Sequence, residues 1–195
     1  MDDAYWSSVH KLRLRIADLL QTLSPAEWDA PSLCAGWRVR DVAGHLASVP
    51  TVTVRDMLAV APRARFNPHR VNTVLAVRHG SREPGEIVAA IRQHAADRRM
   101  AKGLDGRNCL FDAIVHSQDM VVPLGREFPI AAEQSRAGLR RVWEMGWPFR
   151  ARRRFAGHTL NATDIDWTVG TGPEIAAPAL SLLLLLTGRD LDRTR

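Results

Sequence analysis

The sequence predicts a mainly α-helical protein that ends in a small α+β appendage. Through Met145, apolar residues recur at intervals of three and four, which is the spacing of one buried helix face. After Pro148 the pattern changes to short alternating runs between turn residues, which is typical of strands. We therefore expect a helical bundle over residues 1–147 and a small αβ module, packed on the bundle, over residues 148–195.

The first two helices are predicted from an apolar stripe and a start signal. Ser24 can cap a helix, Pro25 suits its first position and Glu27 can complete a capping box, so a short helix is expected here. The long helix before it carries a stripe made of Val9, Leu12, Ile16, Leu19, Leu20 and Leu23.

Breaks and start signals also place the later helices. Gly36 interrupts the chain, and Pro50 stops or kinks the helix that follows. Asn67-Pro68 and Glu83-Pro84 each open a further helix. The remaining expected helices cover residues 37–48, 52–60, 108–122 and 131–145.

The appendage is predicted to contain one hairpin and one helix. Residues 154–162 and 166–169 alternate in polarity and are joined by turn-forming residues, so they predict two paired strands. Pro173 then opens a closing apolar helix over residues 174–186, which Gly188 ends.

The composition is that of a globular protein, with 46% hydrophobic and 25% charged residues, and it excludes a disordered or collagen-like chain. With only Cys34 and Cys109, a disulfide scaffold or a cysteine-rich zinc ribbon is not expected. The first residues lack an apolar signal core, and the longest apolar run, 176–186, is shorter than the ~20 residues that span a bilayer. These observations predict a soluble, cytoplasmic protein with no membrane partner.

A formal charge of +6 raises the question of nucleic-acid binding. The basic surplus is concentrated at residues 150–154, where only Phe149 and Phe155 supply aromatic rings. Charge runs of this kind are usually solvated faces, so nucleic acid is not the expected partner. Nearly all basic residues are arginines, which with the abundant alanine is typical of a GC-rich, for example actinobacterial, genome.

Three residues form a candidate metal site: His45, Asp112 and His116. Asp112 and His116 are four residues apart in a predicted helix, so both side chains project from one face and can hold one divalent cation. A bundle can bring His45 to them from its own helix. Asp119 is a further ligand or an acceptor for the second ring N–H of His116, and Asp41 is a candidate to orient His45.

Each of these residues also has a purely structural interpretation. Asp112 and His116 can be a surface helical pair, and His45 a satisfied buried histidine. Cys34 is either a reactive thiol near the metal or a small packing residue, and Cys109 is a core candidate. Trp37 is expected to pack in the core or between modules.

A family resemblance covers nearly the whole chain. The segment CAGWRVRDVAGHL at 34–46 resembles the C-x-GW-x-V-x-D-x-x-x-HL segment of the DinB-like superfamily, in its mycothiol-dependent maleylpyruvate isomerase-like branch. Residues 112–119 with Pro123-Leu124-Gly125 look like the second metal segment of that branch. Residues 162–167 and 170–189 are similar to its closing module.

The resemblance implies a DinB-like four-helix bundle that holds one divalent metal, most often zinc. Carried over position by position, the ligands are His45, Asp112 and His116. The characterised isomerase has glutamate where this chain has Asp112, and aspartate is one methylene shorter. Catalytic and cofactor-binding residues stay unassigned, because the isomerase's C-terminal catalytic arginine maps onto no single arginine here.

The resemblance further implies an enzyme that uses mycothiol or a related thiol, such as bacillithiol or glutathione. A metal-activated thiolate would act on an electrophilic small molecule in a transferase or isomerase reaction. The alternative is a non-catalytic metal-binding or stress-response bundle of the same fold. A homodimer is one assembly that the sequence allows, and the sequence does not identify the physiological substrate.

Overall fold

The computed structural model describes residues 1–98 and 105–189. Within them the chain is mainly helical and carries one small sheet, which confirms the predicted fold class. The helices are α1 (Asp3–Gln21), α2 (Pro25–Asp29), α3 (Val39–Ser48), α4 (Val54–Val60), α5 (Pro68–Gly80), α6 (Pro84–Gln93), α7 (Cys109–Val121), α8 (Ala132–Glu144), α9 (Ala151–Arg154) and α10 (Ala179–Leu186). The strands are β1 (Thr159–Ala162), β2 (Thr168–Gly170) and β3 (Glu174–Ala177).

The chain folds as two compact units. The first contains Met1–Cys109 and His116–Glu127, and the second contains Leu110–Val115 and Phe128–Arg195. Helix α7 therefore contributes most of its first half to the second unit and its last turns to the first. The division into modules between residues 147 and 148 stays a prediction.

Local signals in the first unit form as the sequence predicts. The Ser24 hydroxyl accepts from the Glu27 backbone N–H, and the Glu27 carboxylate accepts from the Ser24 N–H, which completes the predicted capping box of α2. Thr53 and Asn67 cap α4 and α5 with their side chains. The stripe of α1 is buried at Leu12, among other positions.

The core of the first unit is built by α3 packing on α5 and α6 while α1 packs on α6. A buried arginine of α1, Arg13, binds the segment that follows α6. The Arg13 guanidinium is 7% exposed and donates to the carbonyl oxygens of His94, Ala95 and Asp97, just after α6 ends. It therefore ties α1 to the segment that follows α6 by hydrogen bonds to three backbone carbonyl groups.

In the second unit, α8 packs on α10, and the strands form a sheet of order β2-β1-β3. The predicted hairpin is confirmed, since β1 and β2 are antiparallel. The first strand is shorter than predicted, because Ala151–Arg154 form helix α9 and β1 begins at Thr159.

The closing helix begins later than the sequence predicts. Glu174–Ala177 form β3, which pairs in parallel with β1, and α10 begins only at Ala179. Pro178 ends the strand because it has no N–H to continue the ladder. The Asp164 carboxylate accepts from the Ala179 N–H at 2.7 Å and so caps α10 from a distant part of the chain.

Over the two described stretches, the chain has no helix that combines the length and the apolarity required to cross a membrane.

Candidate metal centre

Helix α3 supplies His45, which is 9% exposed. The helix begins after Arg38, whose backbone N–H donates to the Asp41 carboxylate at 2.9 Å. The Arg38 guanidinium donates to the same carboxylate, and this hydrogen bond raises the pKa of Arg38 above its ordinary value. Asp41 thus caps α3 and binds Arg38, and its role in orienting His45 stays a prediction.

Helix α7 supplies the other candidate ligands. Asp112 and His116 lie four residues apart on this continuous helix, as predicted. The His116 Nδ1 atom lies 2.8 Å from the Asp119 carboxylate, which is fully buried. This contact assigns the ring proton to Nδ1 and leaves Nε2 as the nitrogen for a metal. The contact corresponds to one of the two roles predicted for Asp119, that of an acceptor for His116 and not a further ligand.

The structure brings the three predicted residues together. His45, Asp112 and His116 each offer a ligand atom, and these atoms lie within 4.8 Å of one another. The two imidazole rings have centroids 4.7 Å apart and cross at 71°. Two histidine nitrogens and a carboxylate oxygen at this spacing are the donors of a three-ligand zinc site.

Trp37 packs against both histidines. Its ring lies 6.1 Å from that of His116 at an interplanar angle of 15°, and 5.7 Å from that of His45. The indole N–H donates to the Thr73 hydroxyl at 3.3 Å, which fixes the ring in its buried place. Gly36 precedes it with φ of +77°, a left-handed conformation that glycine adopts without strain. Trp37 therefore limits how far either imidazole can turn.

Cys34 lies beside His116 and Asp119. Its thiol donates to the Asp119 carboxylate at 3.0 Å, and Sγ is 3.7 Å from His116 Nδ1. The sequence alone allows two roles for Cys34, a reactive thiol or a packing residue. Its place in the same motif as His45, residues 34–46, is a sequence signal that links it to the metal site. The contact of Cys34 with Asp119, however, depends on the tertiary fold.

His79, at the end of α5, is a further histidine near this region. Burial, followed by the positive charges of Arg82 and Arg78, lowers the pKa of His79 from its ordinary value of 6.5. His79 is therefore neutral at neutral pH and adds no positive charge to the field around His45.

The donor chemistry fits a divalent metal. Three protein ligands leave a coordination position open, which is the arrangement of catalytic rather than closed structural zinc sites. Asp112 and His116 are half-buried, so the cluster has access to solvent.

Comparison with known proteins identifies relatives of this fold. Residues 9–105 match the family described as mycothiol maleylpyruvate isomerase N-terminal domain. A crystal structure of the mycothiol-dependent maleylpyruvate isomerase aligns with a TM-score of 0.65 and 11% identity, over 98% of this chain and 91% of that one. A histidine-to-alanine mutant of that enzyme aligns over the same shares with a TM-score of 0.63 and 11% identity. These alignments show a shared fold, and no curated protein sequence matches the chain.

Proposed function

We infer that this chain, which belongs through residues 9–105 to the mycothiol maleylpyruvate isomerase family, is a thiol-dependent enzyme of the isomerase or transferase type. Its substrate would be an electrophilic small molecule and its cofactor mycothiol or a related thiol. The observation that carries the proposal is the meeting of ligand atoms from His45, Asp112 and His116 within 4.8 Å of one another.

These three residues would hold the metal, most plainly zinc because the donors are nitrogen and oxygen with an open position. When bound, such a metal would favour the thiolate form of a thiol cofactor and so supply a nucleophile at neutral pH. Asp112 stands where the characterised isomerase has glutamate. The shorter side chain supports the same donor set but does not carry over maleylpyruvate as the substrate.

The chain's own residues would prepare the site before any ligand arrives. The Asp119 carboxylate holds a proton at His116 Nδ1 and so keeps the opposite ring nitrogen available. Trp37 stacks on one face of the His116 ring and lies at a tilted angle beside the His45 ring. Asp112 and His116 are partly exposed, so a thiol can reach the cluster at these two residues.

Metal content is the first test. Full-length protein purified without added metal, and then titrated with Zn²⁺, is expected to bind zinc tightly, and His45→Ala is expected to lose this binding. His158→Ala is the matched control, because His158 is an exposed histidine outside the cluster. Zinc binding that is absent, or that is equal in His45→Ala and wild type, would overturn the proposed ligand set.

Turnover is the second test. Zinc-loaded protein with mycothiol is expected to consume reactive electrophiles, and chelation of the metal is expected to abolish this activity. Tight zinc binding without thiol-dependent turnover of any electrophile class would refute the proposed enzymatic function. It would instead support the non-catalytic metal-binding alternative.

A further inference from the structure

We propose that His116 serves two alternative metal positions, and that the second, formed by Cys34, His116 and Asp119, binds a soft divalent ion such as Cd²⁺. The ligand atoms of these three residues lie within 4.8 Å of one another, as do those of the first group. The two groups share only His116. The second position does not depend on the catalytic proposal.

The distances within the second group are close to those around a metal ion. Tetrahedral zinc bonds to nitrogen, oxygen and sulfur place the donors about 3.3–3.6 Å apart. Here Sγ of Cys34 is 3.7 Å from His116 Nδ1, and the Asp119 oxygen is 3.0 Å from Sγ and 2.8 Å from Nδ1. The carboxylate must therefore move outward, by less than about 1 Å for a zinc-sized ion. The larger Cd²⁺ ion requires a larger displacement of the same carboxylate.

The backbone holds Cys34 beside α7. The Leu33 N–H donates to the Asp119 carbonyl at 3.0 Å, and the Cys34 N–H donates to the Ser32 hydroxyl at 3.1 Å. The carboxylate of Asp119 is fully buried, whereas Cys34 is partly exposed. An ion can therefore reach the group past the thiol, and the donors meet it without refolding of the loop.

The shared imidazole of His116, and its contact with Asp119, make the two positions mutually exclusive. An ion at the second position takes His116 Nδ1, so the ring proton moves to Nε2, and the Cys34 thiol proton passes to solvent. An ion at the first position takes Nε2 and keeps the proton on Nδ1, where Asp119 accepts it. An ion at the second position binds Asp119 and Nδ1 and so removes the contact that orients His116 for the first position, and we therefore expect one ion per chain.

Ligand softness selects between the positions. The first group offers only nitrogen and oxygen donors, whereas the second includes a thiolate, which favours soft ions. A soft ion is therefore expected at Cys34, and its thiolate gives a ligand-to-metal charge-transfer absorption that nitrogen and oxygen donors do not produce.

The test uses the reduced full-length chain titrated with Cd²⁺ and followed by ultraviolet difference absorption against the metal-free protein. The charge-transfer band is expected in wild type, in His45→Ala and in Cys109→Ala, and its loss is expected in Cys34→Ser. Cys109 is the matched control, because it is the other cysteine and is buried outside both groups. Bound Cd²⁺, measured by elemental analysis, should not exceed one ion per chain.

A second measurement needs no variant. Cd²⁺ is expected to slow alkylation of Cys34 in the wild-type protein, as read by mass spectrometry of its peptide. A missing band, a band that survives Cys34→Ser, or unprotected Cys34 would overturn the second position. Two bound ions, or a band lost in His45→Ala, would overturn the exclusive sharing of His116. Zinc binding at the first position is scored separately by the zinc loss in His45→Ala.

Discussion

Two aspartate–histidine pairs with the same spacing differ in their surroundings. His94 and Asp97 approach to 2.8 Å with side chains 26% and 27% exposed. His116 and Asp119 approach to the same distance, but their side chains are 12% and 0% exposed. A buried carboxylate exchanges less of its hydrogen bonding with water, so it orients its histidine more firmly.

Replacing Asp119 by asparagine is expected to weaken zinc binding about tenfold to a hundredfold, because an amide can donate as well as accept and no longer sets the tautomer of His116. Asp97→Asn makes the same change beside His94 and should leave zinc affinity unchanged. Zinc titration monitored by a competing chelator dye measures both. Equal affinities in wild type and Asp119→Asn would contradict an orienting role.

At the scale of elements, a glycine contact sets how closely α3 approaches α5. A Cβ atom added to Gly80 would lie 2.7 Å from the Arg40 carbonyl oxygen and the Asp41 Cα, and one added to Gly44 would collide with the Gly80 backbone. Gly44 directly precedes His45. The close approach of α3 to α5 therefore also fixes the position of His45, the metal-ligand candidate on α3.

Gly80→Ala is expected to lower the free energy of unfolding by about 1–3 kcal/mol, because backbone atoms cannot yield as side chains do. Gly85→Ala is the control, since a Cβ there meets nothing within 4 Å. Urea denaturation compares the two variants with wild type. A Gly80→Ala protein as stable as Gly85→Ala would show that α3 and α5 can move apart without loss of free energy of unfolding.

An ion pair joins Glu27, in the first turn of α2, to Arg126, which follows α7 in the chain. Hydrogen bonds from Arg126 and Ser24 lower the pKa of Glu27 from 4.5 to about 2. Between those values the unfolded chain binds a proton that the folded chain does not. Stability from this contact is therefore complete above pH 4.5 and falls as the pH drops towards about 2.

Glu27→Gln should accordingly flatten the acid side of the stability profile. Denaturation measured at several pH values is expected to show a smaller loss of stability between pH 4.5 and about 2 in the variant than in wild type. Arg126→Gln should flatten the profile in the same way, because it removes the first cause of the shift. Parallel profiles for all three proteins would argue against the contact.

At the scale of the whole molecule, the candidate ligands come from parts of the chain far apart in sequence. A metal held by His45 together with Asp112 and His116 binds the folded chain and not the unfolded one. Binding of this kind adds stability in proportion to the logarithm of the free metal concentration.

Zinc at about a hundred times its Kd is expected to add about 2.7 kcal/mol to the free energy of unfolding. His45→Ala should show no such gain, whereas His158→Ala should behave as wild type. Thermal unfolding with zinc and with chelator measures the difference. An equal zinc-dependent rise in Tm for His45→Ala would place the stabilising ion elsewhere.

Helix boundaries are largely predictable because their signals are local. The capping box of Ser24 and Glu27 and the start of α5 at Pro68 depend only on neighbouring residues, and the structure has them as predicted. The sequence predicts helix for Glu174–Ala177, because the apolar run there gives no local sign of a strand. Only β1, a distant partner, makes this segment a strand.

By itself, the sequence determined which side chains share a face of α7, because helical geometry places residues three and four apart next to each other. It thereby aligned Asp112 with His116 and brought Asp119 within reach of His116, either as a further ligand or as an acceptor, and the structure shows the contact with His116 Nδ1. Only the tertiary structure decided that His45 meets them and that Cys34 reaches Asp119. Those meetings depend on how helices pack, to which many residues remote from the cluster contribute.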